Sequence, residues 1–326
     1  MVMSFQDYVQ TLKPRVDDAF KRELSILLGE IEMSHPASLV AALESGKKIR
    51  GCLTCLVSDA LGGVLEFAIP RAVAVELIQA ATLIHDDFVD QDIMRRNMPA
   101  TWTLEGARRA VLIGDVIFAT AIKMMNDLGR EDGMAASYAI AEISKGALHE
   151  PLQATVLMRE IESDRLDVKL YEKIIHLKTG ILFGMACRLG AISAESNGRL
   201  RQMSYRYGLR IGEAYQIADD LKEVRKHLLS RSIHPGQMAA LVPTFLHFLP
   251  EMRPYLSPIL KGECRDLGDP LLEYFNMAAK LMEKEIETRL KAALSEIAEG
   301  FPSNEYSALA REAPRDLVRM FNVNET

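Results

Sequence analysis

The segment HDDFVDQDIMRR, residues 85–96, concentrates carboxylates and follows them with two arginines. In a helix, Asp86, Asp87 and Asp90 would lie within one turn, where like charges repel by about 0.2–0.5 kcal/mol per pair. The preceding residues 72–84 are apolar nearly all round, which is typical of a helix surrounded by protein. Such carboxylates favour a counter-charge such as Mg²⁺, and the arginines suit phosphate groups. A solvated acidic helix end with paired arginines is the alternative.

A second acidic cluster lies in GEAYQIADDLKEVRKH, residues 212–227. Asp219, Asp220 and Glu223 repeat the spacing of the first cluster and also follow an apolar helical run. If the two helices face each other, the carboxylates of both clusters could hold two or three Mg²⁺ ions, which could in turn hold a diphosphate.

Charge and composition limit the classes of protein. The chain has 326 residues and a net charge of −6, without a concentrated basic stripe, which argues against a nucleic-acid-binding protein. The first residues include acidic side chains and no long apolar run. We therefore expect neither a signal peptide nor a transmembrane segment, and we expect a cytoplasmic protein.

The periodicity of apolar residues predicts an all-α protein, because patterns with a period of 3.6 dominate and alternating β-branched residues are rare. Predicted helices include 65–94, 169–193 and 197–229, and no linker divides the chain. We predict one all-α domain over residues 1–326. The CxxC formed by Cys52 and Cys55 lacks partners for a zinc site, so buried, inert thiols are expected there.

Five motifs occur in a characteristic order: SGKKIRG, LIHDDFVDQDIMRR, VLIGD, HLKTG and YQIADD. Together, over about residues 45–223, they resemble the signature of trans-prenyl diphosphate synthases, or polyprenyl synthetases. The resemblance implies the isoprenoid synthase type of fold, a single large helical bundle around a deep central cavity, usually in a homodimer. It also implies Mg²⁺-dependent condensation of isopentenyl diphosphate with an allylic prenyl diphosphate.

The resemblance assigns site residues in three groups. The Mg²⁺ ligands, which would bridge to the allylic diphosphate, are Asp86, Asp87, Asp90, Asp219, Asp220 and Glu223. The residues that would bind isopentenyl diphosphate are Lys47, Lys48, Arg50, Gln79 and Arg96. The residues that would contact the allylic substrate and steady its leaving group are Lys178, Thr179, Gln216 and Arg95.

The chemistry explains why such groups are needed. Cations neutralise the charge that develops as diphosphate leaves, which lowers the barrier to an allylic carbocation in a dry cavity. The isopentenyl double bond then attacks the carbocation, and a proton is lost to the departing diphosphate. No protein nucleophile is required.

Three positions depart from the family pattern. Asn97 replaces the glycine that usually follows the paired arginines, and Ala147 replaces a common glutamine. Glu223 replaces an aspartate, and the lysine-containing loop that usually follows is missing. The basic residues that could replace its charge are Lys222, Arg225, Lys226 and Arg231.

These departures leave other classes open. The chain could be a subunit that is active only with a partner, or a class I terpene cyclase that lacks a use for a second substrate. A non-enzymatic helical scaffold is the least favoured alternative. The presence of all the isopentenyl diphosphate residues favours the synthase.

Product length depends, in this family, on side chains one or two turns before the first aspartates. One turn rises about 5.4 Å, close to the length of one isoprene unit. The predicted floor comprises Ala81, Thr82, Leu77 and Ile78, with Met124 and Met125 deeper. Because Ala81 is small, we predict a product of C20 or longer, with C25–C40 included.

Overall fold

A computed structural model describes residues 3–31, 33, 35–44, 46–149 and 154–320. Its helices are α1 (Phe5–Gly29), α2 (Pro36–Glu44), α3 (Ile49–Ala60), α4 (Leu65–Val89), α5 (Thr101–Glu105), α6 (Ala107–Leu128), α7 (Arg130–His149), α8 (Ala154–Glu162), α9 (Leu170–Ile174), α10 (Ile181–Ser193), α11 (Gly198–Ser230), α12 (Pro235–Phe248), α13 (Arg253–Leu260), α14 (Leu271–Ile297) and α15 (Glu305–Arg319). A π-helical segment, Ile175–Gly180, joins α9 to α10, and a 3₁₀ turn, Pro250–Met252, precedes α13. The prediction of an all-α protein is confirmed.

Two short strands interrupt the helices between α4 and α5. β1 (Met94–Arg95) pairs antiparallel with β2 (Met98–Pro99). The predicted helix over 65–94 is therefore wrong at its end, because α4 ends at Val89. Gln91 has a φ of 59°, and this left-handed backbone conformation cannot continue a right-handed helix.

The chain divides into two compact units, each described by itself. Unit 1 comprises Met1–Ala141, Leu182–Gly208 and Glu296–Ala313; unit 2 comprises Glu142–Ile181, Leu209–Ser295 and Pro314–Thr326. The single domain over residues 1–326 stays a prediction.

Unit 1 is built around α4, which packs against α1, α3 and α6. Residues 71–78 of α4 are all buried, as the apolar run in the sequence predicted. Cys52 and Cys55 are free, buried thiols in α3, and burial raises the pKa of each. The helix that carries the first acidic cluster is therefore fixed by buried apolar contacts with its neighbours.

Unit 2 has its own apolar core, formed by α8, α9, α11, α12, α13 and α14. Phe245 and Phe275 are fully buried in this core, with ring centroids 4.5 Å apart. The core fixes the half of α11 that carries the second acidic cluster.

Two helical stretches, Leu65–Val89 and Leu170–Ser193, have the length and composition of a membrane span. Most of each stretch is buried inside the protein, and core helices of soluble proteins satisfy the same criterion.

Candidate active site

The first acidic cluster lies at the carboxyl end of α4 in unit 1. Asp87 is buried, with 3% of its surface exposed, whereas Asp86 is half-buried and Asp90 is exposed. Arg95 donates from Nε to Oδ1 of Asp87 at 2.5 Å. Burial raises the pKa of Asp87, and the Arg95 guanidinium opposes this effect only in part. Nε2 of His85 forms a hydrogen bond with the carbonyl oxygen of Val111 at 3.0 Å, which links this end of α4 to α6.

The paired arginines lie on the β1–β2 hairpin. Arg95 pairs with Met98 across the hairpin, so Arg96 and Asn97 form its two-residue turn. Their φ angles are 51° and 63°, which suits the turn types that favour asparagine as well as glycine. This conformation explains why Asn97 can replace the glycine that is usual in the family.

The basic residues around the start of α3 lie in unit 1 and have different environments. Lys47 is exposed, whereas Lys48 is buried, and its Nζ donates to the carbonyl oxygen of Leu43 at 3.0 Å. Burial lowers the pKa of Lys48, although the Glu76 carboxylate opposes the shift. For Lys48 to contact a substrate, its ammonium group would therefore have to break the hydrogen bond to Leu43. The guanidinium carbon of Arg50 lies 4.5 Å from the ring centroid of Phe183.

The hairpin brings Arg96 to the same basic segment. A Cβ added at Gly46 would lie 3.0 Å from Nη1 of Arg96, so this guanidinium packs against the backbone just before Lys47 and Lys48. The positive charge of Arg96 also acts on Lys48 and lowers its pKa. Residues far apart in sequence therefore form one basic cluster in unit 1.

Glu76, which no sequence motif marks, fixes the start of α3. Its Oε1 accepts a hydrogen bond from the backbone N–H of Gly51 at 2.8 Å, and Glu76 is buried. A carboxylate suits this place because the first N–H groups of a helix lack partners within the helix. Gln79 is half-buried on the same helix, one turn later. The signal for Glu76 was a single acid inside an apolar run.

The predicted product-length residues also lie on α4. Leu77, Ile78 and Ala81 are fully buried, and Thr82 is half-buried with its hydroxyl bonded to the carbonyl oxygen of Gln79. On α6, the deeper candidate Met125 is fully buried, and its neighbour Met124 is half-buried. Their role in product length stays a prediction.

The second acidic cluster lies on α11 in unit 2. Asp220 accepts hydrogen bonds from the Tyr171 hydroxyl at 2.6 Å and from Nε2 of Gln216 at 3.0 Å. Burial raises the pKa of Asp220 to about 7, although both hydrogen bonds oppose it. Partial burial of the Asp219 carboxylate, followed by the negative charge of Glu223, raises the pKa of Asp219. Additional positive charge would be favourable at these carboxylates.

The π-helical segment places two further candidates beside this cluster. Thr179 is buried and donates to Oε1 of Gln216 at 2.6 Å, and the positive charge of Lys178 lowers the pKa of Asp219 and Asp220. A Cβ at Gly146 of α7 would lie 2.8 Å from Cβ of Leu177, so a glycine permits this close approach. Unit 2 thus unites Lys178, Thr179, Gln216 and Asp220.

Two of the basic residues proposed to replace the lysine loop already have acidic partners. Arg225 bonds Glu283 of α14 at 2.8 Å, and Lys226 bonds Glu223 at 2.6 Å. Lys222 is half-buried and lowers the pKa of Asp219. Arg231 is exposed in the turn after α11. Charge from this region therefore reaches the second cluster mainly through Lys222 and Lys226.

The donor chemistry of both clusters fits Mg²⁺. All the candidate ligands are carboxylate oxygens, which are hard donors, and burial disfavours the charge of Asp87 and Asp220. Within the described ranges, no group of three or more His, Cys, Asp or Glu side chains is arranged around one metal position. Mg²⁺ commonly binds one or two carboxylates together with water and substrate phosphate. The pair Asp219 and Asp220 therefore offers suitable ligands, and so do Asp86 and Asp87.

Tyr171 is the second functional candidate that sequence analysis missed, and it yields a prediction. Tyr171→Phe removes the hydrogen bond that orients Asp220, and loss of such an indirect contact typically weakens metal binding about 10- to 100-fold. We expect the Mg²⁺ concentration for half-maximal activity to rise within that range. Tyr8→Phe is the matched control, because Tyr8 donates to Asp59 at 2.8 Å in unit 1. Equal Mg²⁺ requirements in the two variants would contradict this role for Tyr171.

Comparisons with known proteins agree with the geometry. The family model described as polyprenyl synthetase matches residues 31–227. The chain is 36% identical over 190 residues to a geranylfarnesyl diphosphate synthase of Aeropyrum pernix, covering 57% of this chain and 59% of that protein. It is 29% identical over 247 residues to a geranylgeranyl diphosphate synthase of Sulfolobus acidocaldarius, covering 73% of each. The chain thus spans about three fifths of the length of the geranylfarnesyl diphosphate synthases it matches.

The fold is similar to that of solved structures. A decaprenyl diphosphate synthase from Rhodobacter capsulatus superimposes with a TM-score of 0.73 at 23% identity, covering 97% of this chain and 99% of that one. This similarity confirms the predicted type of all-α fold.

Proposed function

Since the chain belongs to the polyprenyl synthetase family, we propose that it is a Mg²⁺-dependent trans-prenyltransferase. It condenses isopentenyl diphosphate with an allylic prenyl diphosphate and releases a longer all-trans polyprenyl diphosphate. The observation that carries the proposal is a chain of contacts in unit 2, in which Thr179 donates to Gln216 and Gln216 donates to the half-buried carboxylate of Asp220. The positive charge of Lys178 acts on the same carboxylate. Such a set of groups suits the binding and stabilisation of a leaving diphosphate.

Different residues of the chain have different roles in the reaction. Lys178 supplies positive charge beside the leaving diphosphate, and the hydrogen bond from Thr179 fixes the amide of Gln216 along the allylic substrate. Arg95 contacts the allylic diphosphate, while Lys47, Arg50 and Arg96 hold isopentenyl diphosphate. The carboxylates of the two acidic clusters would hold Mg²⁺ ions, which would neutralise the charge that develops on the leaving group.

The product is a chain of C20 or longer. Its support is the small, buried Ala81 near the end of α4, together with relatives named geranylgeranyl and geranylfarnesyl diphosphate synthase. A small side chain leaves the growing product free to extend past this turn of the helix. We place the enzyme in the cytoplasm, which is consistent with its free cysteines.

The enzyme acts as a homodimer, and the exposed apolar side chains of α6 and α7 are its contact surface. Leu112 and Val116 lie one turn apart on α6, and Met134 and Tyr138 lie one turn apart on α7. All four are at least 40% exposed, and within each pair two large apolar side chains lie one turn apart on an exposed face, which suits a surface that a partner covers.

This surface gives a prediction about assembly. Val116→Asp places a charge in the contact, so we expect the protein to shift from dimer to monomer in analytical ultracentrifugation at micromolar concentration. Leu229→Asp, at a 75% exposed position on α11, should leave the dimer intact. A Val116→Asp protein that still sediments as the wild-type dimer would show that the contact lies elsewhere.

A second candidate function is a divergent member that works with a partner subunit or ionises its substrate as a class I cyclase. The observation that favours it is the missing lysine loop, since Arg225 and Lys226 already pair with Glu283 and Glu223. A cyclase would consume an allylic diphosphate without isopentenyl diphosphate. A dependent subunit would act only after a second chain is added.

The test is incubation with labelled isopentenyl diphosphate and C5, C10, C15 or C20 allylic primers, with Mg²⁺ or with EDTA. The proposal expects label in extended products of C20 or longer only when Mg²⁺ is present. Release of an unlabelled hydrocarbon or alcohol would indicate the cyclase. No incorporation from any primer by the purified chain would overturn the proposal.

A further inference from the structure

Unit 2 contains a buried ion network centred on Glu213 of α11. Glu213 is only 2% exposed, and its Oε1 accepts a hydrogen bond from Nδ1 of His176 at 3.0 Å. Its Oε2 accepts from Nη1 of Arg210 at 2.9 Å and from Nη1 of Arg289 at 2.7 Å. A single buried carboxylate therefore joins the π-helical segment, α11 and α14.

Arg289 extends the network to α9. Its Nε donates to Glu285 at 2.6 Å, and its Nη2 lies 3.3 Å from Oε1 of Glu172. One largely buried guanidinium thus contacts carboxylates from three helices. Arginine suits such a place because its planar guanidinium offers several fixed donors.

The cations around Glu213 stabilise its ionised form. Burial alone would raise its pKa, but the hydrogen bond from His176 and the positive charges of Arg289 and Arg210 outweigh burial, so the pKa is lowered. The same carboxylates raise the pKa of Arg289 although burial opposes the change. A neutral side chain at position 213 would leave the largely buried guanidinium of Arg289 with less compensation.

The network holds both ends of the π-helical segment. His176 is the second residue of this segment, and Gly180 is its last. A Cβ at Gly180 would lie 3.2 Å from Cγ of Glu213, so the segment lies directly against this side chain. Lys178 and Thr179 lie between these two contacts. A π-helical turn is rare and often occurs at functional sites, and surrounding contacts must hold it in place.

We propose that Glu213 is a positioning residue, which holds the π-helical segment in register so that Thr179 meets Gln216 and Lys178 lies beside Asp220. The role rests on the proposed prenyl transfer, because its catalytic consequence is correct placement of the groups that receive the allylic diphosphate. Glu213 itself contacts no substrate. Glu213 lies three residues before Gln216, so α11 carries both the positioning residue and one of the groups that it aligns.

The test compares Glu213→Gln, which keeps the shape of the side chain and removes its charge, with Glu213→Asp, which keeps the charge. For Glu213→Gln we expect kcat at saturating primer to fall at least tenfold, since small misplacement of aligned groups has effects of about 10²-fold. The KM for isopentenyl diphosphate should stay within twofold of the wild-type value, because its proposed ligands lie in unit 1. Glu213→Asp should recover part of kcat.

Amide hydrogen exchange of residues 175–180 is the readout independent of activity. In Glu213→Gln these amides should exchange at least tenfold faster, whereas those in α12 should keep wild-type rates. The matched control is Glu296→Gln, because the Arg206–Glu296 pair, 2.6 Å apart, also joins α11 to α14. This control should leave both kcat and exchange unchanged.

Several outcomes would overturn the positioning role of Glu213. They are wild-type kcat and exchange in Glu213→Gln, or an equal loss of kcat in Glu296→Gln. If Glu213→Gln does not fold, Arg289→Gln removes one partner from the opposite side and should show the same faster exchange at 175–180; unchanged exchange there would equally refute the role. Absence of prenyl transfer by the wild type would instead refute the proposed function. The comparison of amide exchange rates would still decide whether Glu213 holds the π-helical segment in place.

Discussion

Asp220→Asn should lower kcat by about 10²- to 10³-fold, the loss typical of removing one preorganised electrostatic stabiliser. Asparagine keeps the shape of aspartate but lacks the charge that would hold Mg²⁺ beside the leaving diphosphate. In unit 2 this charge lies where Tyr171 and Gln216 fix the carboxylate from two sides. The measurement is steady-state incorporation of labelled isopentenyl diphosphate at saturating primer and several Mg²⁺ concentrations.

The loss should not come from instability. Burial disfavours the charged form of Asp220, so removing the charge should leave the thermal midpoint equal to or above the wild-type value. Glu287→Gln, at an exposed position of α14, is the control and should keep wild-type kcat. An Asp220→Asn protein within twofold of wild-type kcat would show that this carboxylate is not part of the catalytic site.

Ala81→Phe should shorten the main product by one or more isoprene units. Ala81 is fully buried on α4, five residues before Asp86 and so about 7.5 Å along the helix axis. A phenyl ring there would occupy space that the growing chain needs beyond the second or third unit. The measurement is chromatographic sizing of dephosphorylated products from a C5 or C10 primer, at matched extents of reaction.

The control must distinguish a block to the growing product chain from a general loss of stability caused by overpacking the core. Enlarging a buried residue typically destabilises a protein by about 1–3 kcal/mol. Ala68→Phe carries the same risk, because Ala68 is also fully buried, but it lies about 20 Å along α4 from Ala81. We expect Ala68→Phe to lower stability without changing product length. An unchanged product distribution in Ala81→Phe would place the floor of the cavity elsewhere.

The helices could be predicted where local patterns determine them. The apolar run of 72–84 predicted a buried helix, and α4 is mostly buried there because it packs against α1, α3, α5 and α6. The hairpin after α4 was missed because it depends on left-handed backbone at Gln91, Arg96 and Asn97, for which DQD and RRN are weak signals. Helix α8 was also missed, and the predicted helix over 169–193 contains an unforeseen π-helical segment.

That π-helical segment shows why sequence reasoning reaches only part of the candidate site. Its neighbours Gly146 and Glu213 lie about thirty residues away on either side, so no local pattern reveals their contacts with it. Lys178, Thr179 and Gln216 are predicted from their motifs. Tyr171 and Glu76 were not, because hydrogen bonds between helices define their roles, although an acid within an apolar run marked Glu76 in the sequence.

Calorimetric titration with an allylic diphosphate, in Mg²⁺ and in EDTA, tests most directly whether the aspartates bind diphosphate through metal. We predict binding at least tenfold tighter in Mg²⁺ than in EDTA for the wild type, and loss of that difference in both Asp87→Asn and Asp219→Asn. Equal affinity with and without Mg²⁺, or variants that bind as the wild type does, would contradict the account.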